Sequence, residues 1–368
     1  MDRGRMTISF RPQPNNPRNS ECALMRLKDN SILLMYNQYK GDSNSDLAPD
    51  DIVARYSYDE GETWSDARVV FSPEDFNTVN IGSPSIVRLL NGELGVQFNV
   101  PVKSFDKFWT RKKVFARSKD EGQTFYSIVD CTAEQFEGRH GINNARMKRL
   151  TSGRLIYPNS IHPGAGKAWD PTKRTPSPTS HTCGNFVYSD DDGRTWKTSK
   201  DTVYMPFSQS NPGLQEGEVI EIQPGVLKCF FRTDKMYQYV SISFDNGDHW
   251  TVPQPSCFTS ICSPITIRKN PYSGKTYALW NPVPDYNGRP KKKGLNNRTP
   301  LAIAEVNADV SQIIKMEYVH TDITQAYCYV ADLFLNEKEL LIGFSNGRGE
   351  DGERCMDTLS ISKVDLDF

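Results

Sequence analysis

Four arginines in this chain sit where a strand-like run begins or ends. Arg18 precedes an apolar run within Asn-Pro-Arg-Asn-Ser-Glu, and Arg146 follows Asn143 and Asn144. Arg232 closes the apolar run 226–231, and Arg298 opens Thr-Pro-Leu-Ala-Ile. A guanidinium presents paired donors in a plane, which match the two oxygens of a carboxylate. Several converging on one point would clamp an acidic ligand, although each taken alone reads better as a surface ion pair. Acids and phenols accompany them. Asp42, Asp46, Asp50 and Asp51 crowd one loop, Glu216, Glu218 and Glu221 precede Arg232, and Tyr327 and Tyr329 begin a late apolar run. Such groups could carry protons or attack an electrophilic carbon. They could equally be loop acids and half-buried rings with bonded hydroxyls. On a regular strand the two tyrosines share a face, so spacing alone does not separate them.

The elements that must position these groups are announced by a phrase that occurs four times. Its frame is Ser-x-Asp-x-Gly-x-Thr-aromatic, and it starts at Ser57, Ser118, Ser189 and Ser243, with His249 replacing Thr in the last copy. The Ser and Asp side chains can bond nearby amides, and Gly supplies the positive φ that a tight turn needs. The aromatic residue closes the turn from beneath. A strand-like run precedes each copy, at 52–56, 113–117, 185–188 and 239–242. The spacing suits a four-stranded sheet with variable loops, the unit of a β-propeller. A strand pair precedes the first copy, at 23–27 and 32–36. Runs at 277–280, 300–304, 329–335 and 340–344 follow the fourth. The expectation is an all-β, six-bladed β-propeller forming one domain over residues 1–368, its last blade closed by strands from both ends of the chain.

Composition narrows the function classes. Lys and Arg number 44 against 45 Asp and Glu, a balance that does not point to nucleic acid. No apolar run approaches a membrane-spanning length, so no membrane insertion is expected. The first ten residues lack the apolar stretch of a signal peptide. The expected location is therefore the cytoplasm, or a secreted or periplasmic space for a form already trimmed. Eight scattered cysteines show no metal-ligand spacing and read as buried free thiols of a reducing compartment. No metal or other cofactor is called for. The loop 160–181 is rich in Pro, Gly, Ser and Thr, and Lys291, Lys292 and Lys293 read as a solvated loop.

The repeated phrase resembles the Asp-box, also known as the BNR repeat. Together with the arginines, it makes the chain resemble the sialidase (neuraminidase) superfamily over roughly residues 16–367. The bacterial enzymes of glycoside hydrolase family 33 are the nearest type. The resemblance assigns roles position by position. Arg18 takes the first arginine, and Asp46, 28 residues on, takes the acid/base position. Glu216 and Arg232 match a glutamate followed by the second arginine, Arg298 the third arginine, and Tyr329 the late tyrosine, with Tyr327 as its rival. Where the family often carries a late glutamate steadying the first arginine, this chain has Gly343, Phe344 and Ser345, and Glu21 is assigned that role instead. The segment around Asn144 and Arg146 has no counterpart in the family pattern. It is expected to line the substrate pocket.

The implied function is a retaining exo-glycosidase that releases a terminal carboxylated sugar. Sialic acid comes first, with related 2-keto-3-deoxy sugar acids such as Kdo beside it. The carboxylate on the anomeric carbon would repel a carboxylate nucleophile, which favours a tyrosine in that role. Glu216 would take the phenolic proton, Asp46 would protonate the leaving oxygen, and the three arginines would hold the carboxylate. The alternative is a non-catalytic propeller that binds glycans or serves as a scaffold.

Overall fold

The computed structural model describes residues 2–103, 109–132, 139–162, 181–206, 210, 212–286, 289, 295–348 and 354–368. The lysine run at 291–293 and most of the loop 160–181 lie outside them. The described chain is almost wholly β, with a single 3-10 turn at Pro73–Phe76. Six antiparallel sheets follow one another around an axis, which makes the six-bladed propeller that the repeats predicted. Blade 1 runs outward through Asn19–Arg26, Ile32–Tyr39, Asp50–Ser57 and Arg68–Phe71. The inner strands of blades 2, 4, 5 and 6 are Gly82–Arg88, Gln215–Gln223, Thr266–Lys269 and Ala326–Phe334. In blade 3 the inner position is split, and Arg139–Gly141 and Lys148–Arg149 both pair with Leu155–His162. Blade 6 closes the ring, because the N-terminal strand Gly4–Phe10 pairs with the C-terminal strand Thr358–Asp365.

A sheet with two apolar faces needs cover on both, and each blade receives it from its neighbours. Met35 and Ile52 of blade 1 share a core cluster with Ile86 and Phe98 of blade 2. The remaining joints are built in the same way, each with its own cluster. All eight cysteines are free thiols, six of them buried within this packing.

The four Asp-boxes occupy the hairpin between the third and fourth strands of blades 1 to 4. In the third copy the Asp191 carboxylate accepts from Ser189 Oγ at 2.8 Å, Thr195 N at 2.8 Å and Thr195 Oγ1 at 2.6 Å. Gly193 donates its N–H to Ser189 Oγ at 2.8 Å. Gly193 has φ 84°, and a Cβ there would run into the ring of Phe115 in blade 2. The box is therefore a turn and a joint at once. Its aromatic residue packs on the preceding blade: Trp196 on Phe115 at 5.2 Å, Trp250 stacked on Phe186 at 3.7 Å, Phe125 on Phe71 at 4.8 Å. Burial works against ionisation of Asp191, but the Thr195 and Ser189 bonds outweigh it and hold the carboxyl below its ordinary value.

Replacing Asp191 with Ala should cost about 1–3 kcal/mol through these lost bonds. A carboxyl with a lowered folded-state pKa stabilises above its unfolded value and loses that contribution as pH falls through the folded one. Urea unfolding at pH 7 and near pH 3 should thus show the gap between wild type and Asp191→Ala narrowing in acid.

Candidate active site

At one end of the axis lies a cavity of about 270 Å³. Glu21, Ser83, Glu216 and Tyr329 all line it, and all four come from inner strands. Each stands at a break in strand register, and each has a positive φ: 50°, 55°, 42° and 56° in that order. A left-handed non-glycine residue costs of order 1–3 kcal/mol. In each of these four blades a β-bulge turns one side chain out of the alternating pattern and onto the cavity. Blade 3 makes the equivalent break at Ala145, φ 58°.

The Tyr329 hydroxyl donates to Glu216 Oε1 at 3.0 Å, while Arg232 Nη1 donates to Glu216 Oε2 at 2.7 Å and approaches the Tyr329 oxygen at 3.4 Å. Burial pushes the Tyr329 pKa up and the Glu216 charge adds to it, against the pull of Arg298 and Arg232. Burial also opposes ionisation of Glu216, but Arg232, Arg298 and the tyrosine hydroxyl outweigh it and hold the carboxyl below its usual range. The site rests as a neutral phenol bonded to a charged carboxylate.

Arg232 reaches the cavity surface, whereas Arg18 and Arg298 stand behind it. Arg18 Nη1 meets Asp46 Oδ1 at 2.5 Å, and Arg18 Nη2 lies 3.8 Å from Glu21 Oε1. Glu21 itself accepts from Ser83 Oγ in a short bond. The Arg298 guanidinium lies 5.2 Å from the Tyr329 ring centre, with Nε and Nη1 lacking partners among the described residues. The Cys328 thiol, Arg298 and Arg18 together lower the pKa of Cys355, so both guanidiniums bear on one turn. Asp46 lines the cavity with a side chain 69% exposed, and its carbonyl accepts from Asn80 at 2.7 Å. Of the other loop acids, Asp50 is buried and bonds Asn37 at 2.6 Å, and Asp51 pairs with Lys40.

Three residues expected in the pocket stand elsewhere. Tyr327 turns away, its ring stacked on His320 at 5.3 Å and its hydroxyl 3.4 Å from the Asp322 carbonyl. A regular strand would give residues 327 and 329 one face, but the bulge between Cys328 and Ala331 separates them. Arg146 is buried and engages Glu218 in a short ion pair, Asn143 Oδ1 at 3.0 Å and the Ile265 carbonyl at 2.7 Å. Lys148 at 2.7 Å and Arg268 complete the surroundings of Glu218, and Arg268 also meets Asp332 at 3.1 Å. This network ties blades 3 to 6 together. Asn144 is fully buried and bonds backbone carbonyls.

One group of residues went unread in the sequence. Asn37 donates across a blade joint to the Ile81 carbonyl at 2.8 Å, Asn99 to Ile142 at 2.7 Å and Asn281 to Tyr327 at 3.1 Å. Each follows an aromatic residue of a second strand: Tyr36, Phe98 and Trp280. That recurring aromatic-Asn pair was the available signal.

A family model described as a BNR repeat-like domain matches residues 38–314. A curated sialidase from Paraclostridium sordellii is 24% identical over 250 residues, which are 63% of this chain and 57% of the relative. The chain thus spans less than two thirds of that relative's length. Among solved structures, a Hadza microbial sialidase superposes with a TM-score of 0.71 at 16% identity, covering 96% of this chain and 66% of that one. A protein of unknown function from Dyadobacter fermentans gives 0.70 at 15%, covering 99% and 100%. At such identities the structural likeness speaks for the fold alone.

Glu218 faces three cations, Arg146, Lys148 and Arg268. Removing one partner of a buried ion pair strands the other charge, at about 3–5 kcal/mol. Glu218→Ala should lose that much in urea unfolding, and an unchanged midpoint would show that the network carries no weight.

Proposed function

The chain belongs to the family of BNR repeat-like domains, and from that premise we propose that its cavity releases a terminal carboxylated sugar with retention of configuration. The observation that carries this reading is the 3.0 Å bond from the Tyr329 hydroxyl to Glu216, with Arg232 bridging both. A phenol attacks poorly unless its proton leaves as the bond forms. Glu216, held ionised by Arg232, stands where it can take that proton. The attacking oxygen is neutral beforehand, so it meets no repulsion from a carboxylate on the anomeric carbon. A covalent sugar–tyrosine intermediate follows, and water then releases the sugar from it.

Arg232 would receive the sugar's carboxylate at the cavity surface. Arg18 is reached only when that carboxylate displaces Asp46 from it. Binding at the clamp thereby frees Asp46, on its exposed loop, to protonate the leaving oxygen and later to activate water. Glu21 then remains as the counter-charge that holds Arg18 in place. Sialic acid is the leading substrate, and Kdo shares the carboxylated anomeric carbon. A non-catalytic glycan-binding role is the second reading, favoured by the recessed positions of Arg18 and Arg298.

Incubation with a fluorogenic sialoside beside a fluorogenic Kdo glycoside separates these readings, and release from neither would leave the binding role. Tyr329→Phe removes only the attacking oxygen, so kcat should fall about 100-fold or more while the unfolding midpoint is retained. Full turnover in that variant would exclude Tyr329 as the nucleophile. Asp46→Asn should impair glycosides with poor leaving groups far more than activated aryl glycosides, because only the former need an early proton. Arg232→Lys keeps the charge but loses the planar fork, and KM should rise about tenfold or more. An unchanged KM would remove Arg232 from the clamp.

A further inference from the structure

The backbone at Tyr329 needs support that the sheet does not supply. A tyrosine at φ 56° lies in a region that side chains with a Cβ rarely occupy. The ladder to the neighbouring strand is interrupted between Cys328 and Ala331, so this stretch lacks regular pairing. The same holds across the joint in blade 1, where register breaks between Ser20 and Cys22 around Glu21.

Asn144 meets both breaks. It reaches from blade 3 and donates from Nδ2 to the Tyr329 carbonyl at 3.1 Å and to the Cys22 carbonyl at 2.6 Å. A primary amide nitrogen carries two hydrogens in a fixed fork, which lets one atom serve two carbonyls. The residue is fully buried and does not line the cavity. Its own turn is pinned on the following side. Ala145 N donates to the Pro84 carbonyl at 3.0 Å, Arg146 N to Ser85 Oγ at 2.9 Å, and the Arg146 side chain joins Glu218. Asn144 therefore projects from a fixed base.

We propose that Asn144 is a positioning residue, whose amide fixes the left-handed backbone of Tyr329 and so the reach of its hydroxyl to Glu216. This rests on the reading of Tyr329 as the attacking residue. The cross-axis tie sets where the phenol oxygen stands, and the substrate never touches it. The segment from Asn143 to Arg146 thus acts on the chemistry from behind the tyrosine.

Asn144→Leu keeps the approximate size and removes both donors. Its kcat on the fluorogenic substrate should fall about 10–100-fold, the loss expected from a reacting atom displaced by about 1 Å. KM should stay within about threefold, since no contact to the sugar is lost. With 3-fluorotyrosine placed at position 329, its fluorine resonance should shift in Asn144→Leu, while the same label at Tyr58, exposed on the outer turn of the first Asp-box, should not move. An unmoved resonance at 329, or a rise in KM at constant kcat, overturns the proposal. Should Asn144→Leu fail to fold, Asn144→Ser, which keeps one donor, is read by the same two measures. If the unaltered protein cleaves no acidic-sugar glycoside, the proposed function falls, and the fluorine shift alone still decides the role of Asn144.

Discussion

No blade of this molecule is stable alone, because each sheet has two apolar faces and owns the cover for neither. The joint between blades is the constraint on which everything else depends. It explains why an Asp-box is more than a turn. Its aspartate organises the hairpin, while its glycine and aromatic residue press on the blade before. It explains Asn37, Asn99 and Asn281, which carry hydrogen bonds across the same joints. With the periphery fixed in this way, the inner strands can tolerate left-handed residues at the cavity that an isolated sheet would relax away.

Charge is sorted along the axis by the same logic. Within the ring, the buried carboxylates of Glu218 and Asp332 hold three cations, of which Arg146 is buried while Lys148 and Arg268 keep partial contact with solvent. At the cavity, Glu216 pairs with Arg232 but leaves one oxygen for the Tyr329 hydroxyl. Two glutamates two residues apart in one strand therefore have different tasks. The bulge between Gln215 and Glu218 decides which faces the cavity and which faces the ring's interior.

The fold was legible because its signals are local. Ser57, Asp59, Gly61 and Thr63 bond one another within seven residues, so the phrase announces its own structure. The grouping of Glu216, Arg232 and Tyr329 was legible through resemblance and order along the chain. The burial of Arg146 was not, because nothing beside it in sequence shows that Glu218, in another blade, will take its charge. The separation of Tyr327 from Tyr329 was also hidden. Alternation is the only rule a strand sequence offers, and neither Cys328 nor Val330 marks a bulge. Asn144 was expected to touch a ligand, yet it bonds two carbonyls whose need for donors arises only from register breaks in distant strands.

The pairing of Gly4–Phe10 with Thr358–Asp365 makes the ring a structure that synthesis cannot complete in order. Residues 4–10 emerge before every other strand of the ring, and their partner strand emerges after all of them. At about 5–20 residues per second, the first strand waits roughly 20–70 s for it. During that interval blades 1 to 5 can stack successively, as an open arc with an uncovered apolar face at each end. Tyr329 belongs to the blade that closes the arc, so the cavity is assembled at the same moment as the ring. A nascent chain can therefore carry the Glu216–Arg232 pair of blade 4 before the Tyr329 hydroxyl that completes the site is in place.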